Sequence, residues 1–220
     1  SNFRPHELNL TPKYEDATFS VKVKANFKGG SIDQMIGNID IDSLQFTAPE
    51  KNFFMKNMHL SATQQTGINQ LTLNSEFVKG RFMYHTLPSS VMGILRSYIP
   101  SLILPPKKTI ETDNNFSFDI NIYNTDILST IFDIPLKVYT HSTINGYVND
   151  RMKRLRVEGY FPRLQYKNNF LESGLLLCEN PADQFRVRVR FTNQKKKGAV
   201  NLSLEAQAKD DLVNTTINWG

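Results

Sequence analysis

The feature that most constrains this chain is a repeated alternation of apolar and polar side chains along short segments. Val21, Val23 and Ala25 alternate with Lys22 and Lys24, so a strand through these residues has one apolar and one polar face. The same alternation returns at residues 39–46, 58–62, 71–77, 82–84, 116–122, 144–148, 155–159, 187–191 and 200–206. Strands with one buried and one hydrated face are typical of antiparallel sheets. The pattern predicts a mainly β fold, an elongated and curled antiparallel sheet that is either groove-like or an open sandwich.

Two or three short helices are predicted to interrupt the strands. Ser89-Ser90 provides an N-cap for an apolar helix over residues 91–99. Thr125-Asp126 provides a cap for a shorter helix that runs through Ile131. A single helical turn is also expected over residues 31–35. These segments are small additions to a chain made mostly of strands.

The chain divides best at the prolines Pro105-Pro106. We predict a first β-rich unit over residues 1–104 with a helix near its end, a linker over 105–112 and a second β-rich unit over 113–220. The two units share a weak internal repeat, whose matched segments are Leu44-Gln45-Phe46 with Leu164-Gln165-Tyr166, Asn52-Phe53-Phe54 with Asn169-Phe170-Leu171, Met58-His59-Leu60 with Leu175-Leu176-Leu177, and Gln70 to Phe77 with Gln184 to Phe191. Units of this kind stack into an elongated sheet rather than a compact ball.

Composition narrows the class of protein. Of 220 residues, 40% are hydrophobic and 21% are charged, as in an ordinary globular chain. A single cysteine, Cys178, excludes an internal disulfide framework and a cysteine-based zinc site. No stretch approaches the roughly 20 apolar residues of a membrane-spanning helix. Because Ser1 is not an initiator Met and the last residues read as a strand, we expect a piece of a longer protein.

The sequence contains no catalytic constellation. No phosphate-binding glycine loop and no nucleophile elbow is present. Four histidines lie along the chain without a His or Cys partner at metal-ligand spacing: His6, His59, His85 and His141. We therefore predict that the chain is not an enzyme and has no metal site and no cofactor.

Two further residue sets invite a chemical interpretation. Asp40 and Asp42 share one strand face, either as a paired-carboxylate or calcium site or as solvated residues that discourage edge-to-edge association; we favour the second. Cys178 follows three leucines and is interpreted as a small buried hydrophobic residue rather than a nucleophile. Neither set changes the prediction of a binding or structural role.

The densest positive charge is the arginine stripe Arg186, Arg188 and Arg190, followed by Lys195-Lys196-Lys197. One interpretation is a surface that contacts anionic lipid head groups or a partner. The other is the hydrated face of a hairpin whose turn holds the lysines. A net charge of +5 does not require nucleic acid, and the aromatic residues alternate onto the opposite face, which leaves no stacking platform beside the arginines. We predict no nucleic-acid partner.

The apolar face of the predicted sheet is the strongest candidate for a binding surface. Either it packs shut as the core of a sandwich, or it lines an open trough that holds acyl chains. The residues that would line such a trough are Phe46, Phe77, Phe82, Phe116, Phe118, Ile120, Ile122, Tyr166, Val187 and Phe191. Alternation alone leaves both possibilities open.

Several segments share a Gly–x–Ile/Val–x–Ile or related rhythm. They are Ile36-Gly37-Asn38-Ile39-Asp40-Ile41-Asp42-Ser43-Leu44 and Ile144-Asn145-Gly146-Tyr147-Val148, followed by Met58-His59-Leu60-Ser61-Ala62 and Leu155-Arg156-Val157-Glu158-Gly159 respectively. With short helical segments such as residues 126–131, these runs resemble the periplasmic repeat regions of the AsmA/TamB family. The abundance of Asn and Phe resembles the versions found in the Bacteroidetes. The likeness is one of rhythm and covers most of residues 17–219.

The resemblance implies a function. Members of that family are large proteins anchored in the inner membrane by an N-terminal helix, and their periplasmic sheet curls into an apolar groove that conducts phospholipids towards the outer membrane. Some of them partner an outer-membrane barrel of the Omp85 type and take part in outer-membrane protein assembly. Our first hypothesis is therefore a non-catalytic periplasmic segment with an acyl-chain groove. The alternative is a structural or adhesive β-sandwich module of a bacterial surface protein.

Overall fold

The computed structural model describes residues 2–3, 18–29, 36–48, 51–85, 115–126, 129, 134–181, 184–195, 198–210 and 212–220. Three predicted features lie outside these ranges: the turn over 31–35, the helix over 91–99 and the linker over 105–112. The strands and contacts of the fold are those of the described residues.

Fourteen strands form one antiparallel sheet. The strands are β1 (Asn2–Phe3), β2 (Thr18–Lys28), β3 (Ile36–Ala48), β4 (Lys51–Gln65), β5 (Ile68–Asn74), β6 (Val78–Tyr84), β7 (Asn115–Ile122), β8 (Leu136–Val138), β9 (Ser142–Asn149), β10 (Arg154–Tyr166), β11 (Asn169–Glu179), β12 (Phe185–Lys195), β13 (Gly198–Lys209) and β14 (Leu212–Trp219). Each strand pairs with the next along the chain, except that β7 pairs with β9 and the short β8 lies beside the far end of β10. The predicted mainly β, antiparallel fold is confirmed.

Helix is a minor feature of the described chain. Asp126 and Ser129 have α-helical backbone, and the Ser129 N–H donates to the carbonyl of Thr125 at 2.8 Å. The Asn124 side-chain oxygen accepts the Asp126 N–H at 2.7 Å. A cap therefore lies one residue before the predicted Thr125-Asp126, because an Asn side chain reaches the backbone two residues onward.

The sheet is open and curled. Its two ends are β1 and β14, which do not pair with each other. Every pair of strands with substantial contact is a pair of hydrogen-bonded neighbours, so the described strands form no second layer that packs face to face on the first. The sequence left two possibilities for the apolar face, an open trough or the core of a closed sandwich. The described strands form an open sheet and not a closed sandwich.

Cross-strand pairing separates the sheet into two faces of opposite character, since directly paired residues point to the same side. One row of paired residues crosses twelve strands: Ala25, Ile39, Leu60, Leu73, Gly80, Ile120, Ile144, Gly159, Leu176, Val189, Leu204 and Ile217. We call the side that holds this row the apolar face. The neighbouring row on the other side is Lys24, Asp40, His59, Asn74, Lys79, Asn121, Thr143, Tyr160, Leu175, Arg190, Ser203 and Asn218, and we call that side the polar face.

The core lies on the apolar face near one end of the strands. Tyr84, Phe116, Val148 and Leu155 are successive cross-strand partners on β6, β7, β9 and β10, and all four are buried. Half-buried side chains from as far apart as β5 and β12 pack against this cluster: Leu71, Phe82, Phe118, Cys178 and Phe185. Burying such side chains stabilises the sheet by about 1.5–3 kcal/mol each. The contacts between non-adjacent strands show that the sheet curls towards its apolar face.

The internal repeat has a structural counterpart in two bulged hairpins. In β3–β4 the pair Asp42 and Asn57 drops out of the ladder, and Asn57 has a φ of 51°. In β10–β11 the pair Pro162 and Ser173 drops out in the same way, and Ser173 has a φ of 51°. In the first strand of each hairpin, the unpaired residues 42 and 162 are 120 positions apart, as the matched segments predicted. In the second strand, the unpaired residues 57 and 173 are 116 positions apart, whereas the matched segments predicted 117. The predicted register of that segment was therefore wrong by one residue, which exchanges the two faces.

Candidate functional site

The middle of the apolar face is an unbroken apolar surface. The twelve-residue row defined above contains no polar side chain. Most of its members are half-buried rather than buried, and at the β14 edge Ile217 is 57% exposed. Burial of such a surface against an apolar partner is favourable, by roughly 25 cal/mol for each Å² of apolar area removed from water.

Aromatic rings next to glycines smooth this surface. An ideal Cβ on Gly146 would lie 2.8 Å from Cζ of Phe118, its cross-strand partner on β7. An ideal Cβ on Gly174 would lie 2.2 Å from Cε1 of Phe191. The rings therefore occupy the space that a side chain would take, as aromatic residues often do beside glycines in sheets.

The structure brings several of the predicted groove residues together. The rings of Phe82 and Phe116 are 5.3 Å apart, and those of Phe116 and Phe118 are 6.5 Å apart. Ile120 and Ile122 continue the same face along β7, and Val187 and Phe191 lie on the same face of β12. These candidates form two groups on the apolar face, one on β6–β7 and one on β12.

Three predicted groove residues have different surroundings. Phe46 is completely buried and contributes to packing rather than to an accessible lining. Phe77 lies in the turn before β6, where its ring is 6.0 Å from that of Phe53. Tyr166 lies at the last position of β10 and is 45% exposed. They therefore lie towards the ends of the strands and not in the central row of the apolar face.

The sequence analysis missed most of the central row. Leu60, Leu73, Ile144, Leu176 and Leu204 all lie in it, yet none was among the predicted lining residues. The prediction was weighted towards aromatic residues, whereas the centre is mainly aliphatic. Alternation would have identified most of these positions, but not Leu176, because it is the middle residue of three consecutive leucines.

On the polar face of β2–β4, the two aspartates are paired with neighbouring basic side chains. The Asp40 carboxylate lies 2.6 Å from Nδ1 of His59 and accepts a hydrogen bond from the Asn38 amide, and the bond to His59 is the main reason why the pKa of Asp40 is lowered. Asp42 lies within 3.5 Å of Lys22 and Lys24. This is the solvated arrangement that the sequence favoured for the two aspartates.

The arginine stripe lies on the polar face, opposite the groove. Arg186 lies 3.6 Å from Glu179, and Arg188 lies 3.3 Å from Glu205. Glu179 also accepts a hydrogen bond from Arg156 at 2.8 Å, so opposite charges alternate across β10 to β13. Arg190 has no ion pair within the described residues. Of the three predicted head-group candidates, two are thus compensated by neighbours and one is not.

Cys178 lies on the apolar face beside the core cluster. It is half-buried, and desolvation raises the pKa of its thiol to about 11. A thiol in this state is protonated at neutral pH and is a poor nucleophile. Its surroundings agree with the interpretation of Cys178 as a packing residue.

Comparison with family models, with curated proteins and with solved structures finds no match for this chain. Among the described residues, no helix is long and apolar enough to cross a bilayer. Information about the function of this chain therefore comes from the geometry of the two faces of its sheet.

Proposed function

We propose that this chain is a non-catalytic periplasmic segment of an AsmA/TamB-like envelope protein whose apolar face holds the acyl chains of phospholipids. The observation that carries the proposal is the row of twelve apolar residues across an open, curled sheet. An open sheet whose central row on one face is apolar is what the resemblance implies for a lipid groove.

The chemistry of the lining suits transport better than tight storage. Each CH₂ group of an acyl chain gains about 0.8 kcal/mol when it leaves water for an apolar surface. Because this gain has no directional component, a row without polar side chains lets a chain slide across strands with little change in free energy. The head group stays in water beyond the edge of the sheet. Direction then comes from partners, with an Omp85-type barrel of the outer membrane as the expected one.

Photo-crosslinking tests the proposal without a destabilising charge. A photoreactive benzoylphenylalanine replaces Phe118 on the apolar face, and in the matched control it replaces Tyr147, which is exposed on the polar face one residue from Gly146. After irradiation of intact cells, we expect phospholipid adducts from position 118 and few or none from position 147.

A second measurement uses purified protein. Extraction followed by mass spectrometry is expected to recover phospholipid, and the protein is expected to bind a fluorescent fatty acid. Equal crosslinking from both positions, or a protein that carries no lipid and binds no fatty acid, would falsify the proposal.

A further inference from the structure

A cleft on the polar face lies beside the second bulged hairpin. Its volume is about 540 Å³, and Ser173 of the bulge forms part of its wall. Its other polar-face residues come from four adjacent strands: Leu175, Arg190, Thr192, Asn201, Ser203 and Asn218. Three apolar-face residues, Phe191, Leu202 and Trp219, complete the lining with Gly220. Most of the lining residues nevertheless lie on the polar face, opposite the acyl-chain groove.

Arg190 has the one charged side chain among the described residues that line this cleft. Its neighbours in the stripe are compensated, Arg186 by Glu179 and Arg188 by Glu205. Within the described chain Arg190 makes no ion pair, and its cross-strand partners are the uncharged Leu175 and Ser203. Among the described residues, no acidic side chain in the lining of the cleft balances this positive charge.

Neutral donors surround this charge. Thr192 donates its hydroxyl proton to Oδ1 of Asn201 at 3.1 Å, which leaves the Asn201 amide hydrogens free to donate. Asn218 donates to Oγ of Ser203 at 3.5 Å, which leaves the Ser203 hydroxyl proton free. A guanidinium flanked by an amide and a hydroxyl donor matches the acceptor oxygens of a phosphate or carboxylate group.

The equivalent cleft of the first hairpin has a different charge pattern. Its volume is about 470 Å³, and Asn57 of the first bulge lies in its wall. It is lined by three carboxylates together with two lysines and a histidine: Asp40, Asp42, Glu76, Lys56, Lys79 and His59. Lys56 and Lys79 make no ion pair within the described residues, but three carboxylates outnumber these two lysines, so the first cleft as a whole does not favour an anion. The repeat thus provides an internal comparison for the second cleft.

We propose that the cleft around Arg190 binds an oxyanion, a phosphate or a carboxylate, on a ligand that also bears hydroxyl groups. Arg190 supplies the charge, Asn201 and Ser203 donate to the remaining oxygens, and the Asn218 carbonyl oxygen accepts from a ligand hydroxyl. Leu175 and its neighbour Tyr160, each 49% exposed, offer an apolar surface to the body of the ligand. The two sources of such a group are a phospholipid head group and an acidic sugar.

Calorimetric titration of the purified chain tests the site. The probes are sn-glycerol 3-phosphate for the head group and glucuronate for the acidic sugar, with glycerol and glucose as uncharged controls. The variant is Arg190→Gln, and the matched control is Arg188→Gln on the same strand and face. We expect one charged probe to bind, with affinity lowered by about tenfold or more in Arg190→Gln and nearly unchanged in Arg188→Gln.

The identity of the bound probe distinguishes the two sources. Binding of neither charged probe overturns the proposal, as does equal binding by Arg190→Gln and the unmodified chain. Should Arg190→Gln fold poorly, the salt dependence of the unmodified chain decides, because an affinity that does not fall as ionic strength rises is incompatible with an arginine-based site. Fatty-acid binding to the groove is expected to be unchanged in Arg190→Gln, so failure of this proposal is distinguishable from failure of the proposed function.

Discussion

The two faces of this sheet are made by the same strands and yet have opposite chemistry. On β11, Leu176 lies in the central apolar row, whereas Leu175 and Leu177 lie on the polar face. The face that holds Leu175 carries ion pairs such as Arg188 with Glu205, whereas the central row of the apolar face has no polar residue. The difference shows that position relative to the sheet, and not residue type, decides what a side chain does here.

The largest expected effect comes from the same substitution on each face. We expect Leu176→Gln to lower the free energy of unfolding by about 3 kcal/mol, because it places an amide among apolar neighbours. Leu177→Gln, one residue away, is expected to cost about 0.5 kcal/mol. Urea unfolding followed by circular dichroism measures both. Equal losses would show that the two faces do not differ as described.

Thiol reactivity gives a second comparison of the faces. Since burial raises the pKa of Cys178 to about 11 from an ordinary value of 9.0, its thiolate fraction at pH 8 is about a hundredfold lower than that of an unshifted thiol. We expect slow reaction with an aromatic disulfide reagent in the folded chain and fast reaction in urea. The control is Leu177→Cys combined with Cys178→Ala, whose polar-face thiol should react faster in the folded state. A Cys178 as reactive as this control would contradict the assignment.

Two glycines on the apolar face, Gly146 and Gly80, differ in how much space they leave for a side chain. An alanine at position 146 would place its Cβ 2.6 Å from the carbonyl oxygen of Arg156 and 2.8 Å from the ring of Phe118. We expect Gly146→Ala to cost about 2 kcal/mol. At Gly80 the nearest atom would be the Asp119 oxygen at 3.6 Å, so Gly80→Ala is expected to change stability by at most about 0.5 kcal/mol. Thermal and urea unfolding of the two variants test this order.

The smallest expected effect is on the polar face and depends on pH. The pKa of Asp40 is lowered below its ordinary 3.8, mainly by the hydrogen bond with His59. A lowered folded-state pKa means that the unfolded chain takes up the proton first, so this stabilisation is complete above pH 3.8 and is lost as the pH falls through the folded pKa.

We therefore expect the stability difference between the unmodified chain and Asp40→Asn to shrink on acidification from about pH 5 to about pH 2. Urea unfolding at several pH values measures it. A difference that stays constant over this range would show that the Asp40–His59 contact does not contribute to stability in solution.

Much of the fold could be predicted from the sequence because the strands alternate cleanly. Val21, Val23, Phe116, Phe118 and Val187 were placed on one face by alternation, and cross-strand pairing puts them there. The short strand β8 was not predicted, since three residues are too few for a periodic signal. The predicted register of the repeat was wrong by one residue, because neither Asn57 nor Ser173 has a neighbouring sequence pattern that indicates a bulge.

The candidate sites were harder to predict than the fold. Arg186, Arg188 and Arg190 look equivalent in sequence, and only the positions of Glu179 and Glu205 on neighbouring strands distinguish Arg190 from the other two. The cleft beside it depends on a bulge and on residues from four strands. Local spacing carries no information about such contacts.

One-sided strands in an antiparallel sheet follow from the order of the residues alone, because a period of two places like residues on the same side of a strand. The contacts between strands make the described sheet open rather than a sandwich, and they also place certain leucines in the central apolar row and leave Arg190 without an ion pair within the described residues. Those outcomes depend on strand register, bulges and curl, which arise from contacts between residues far apart along the chain.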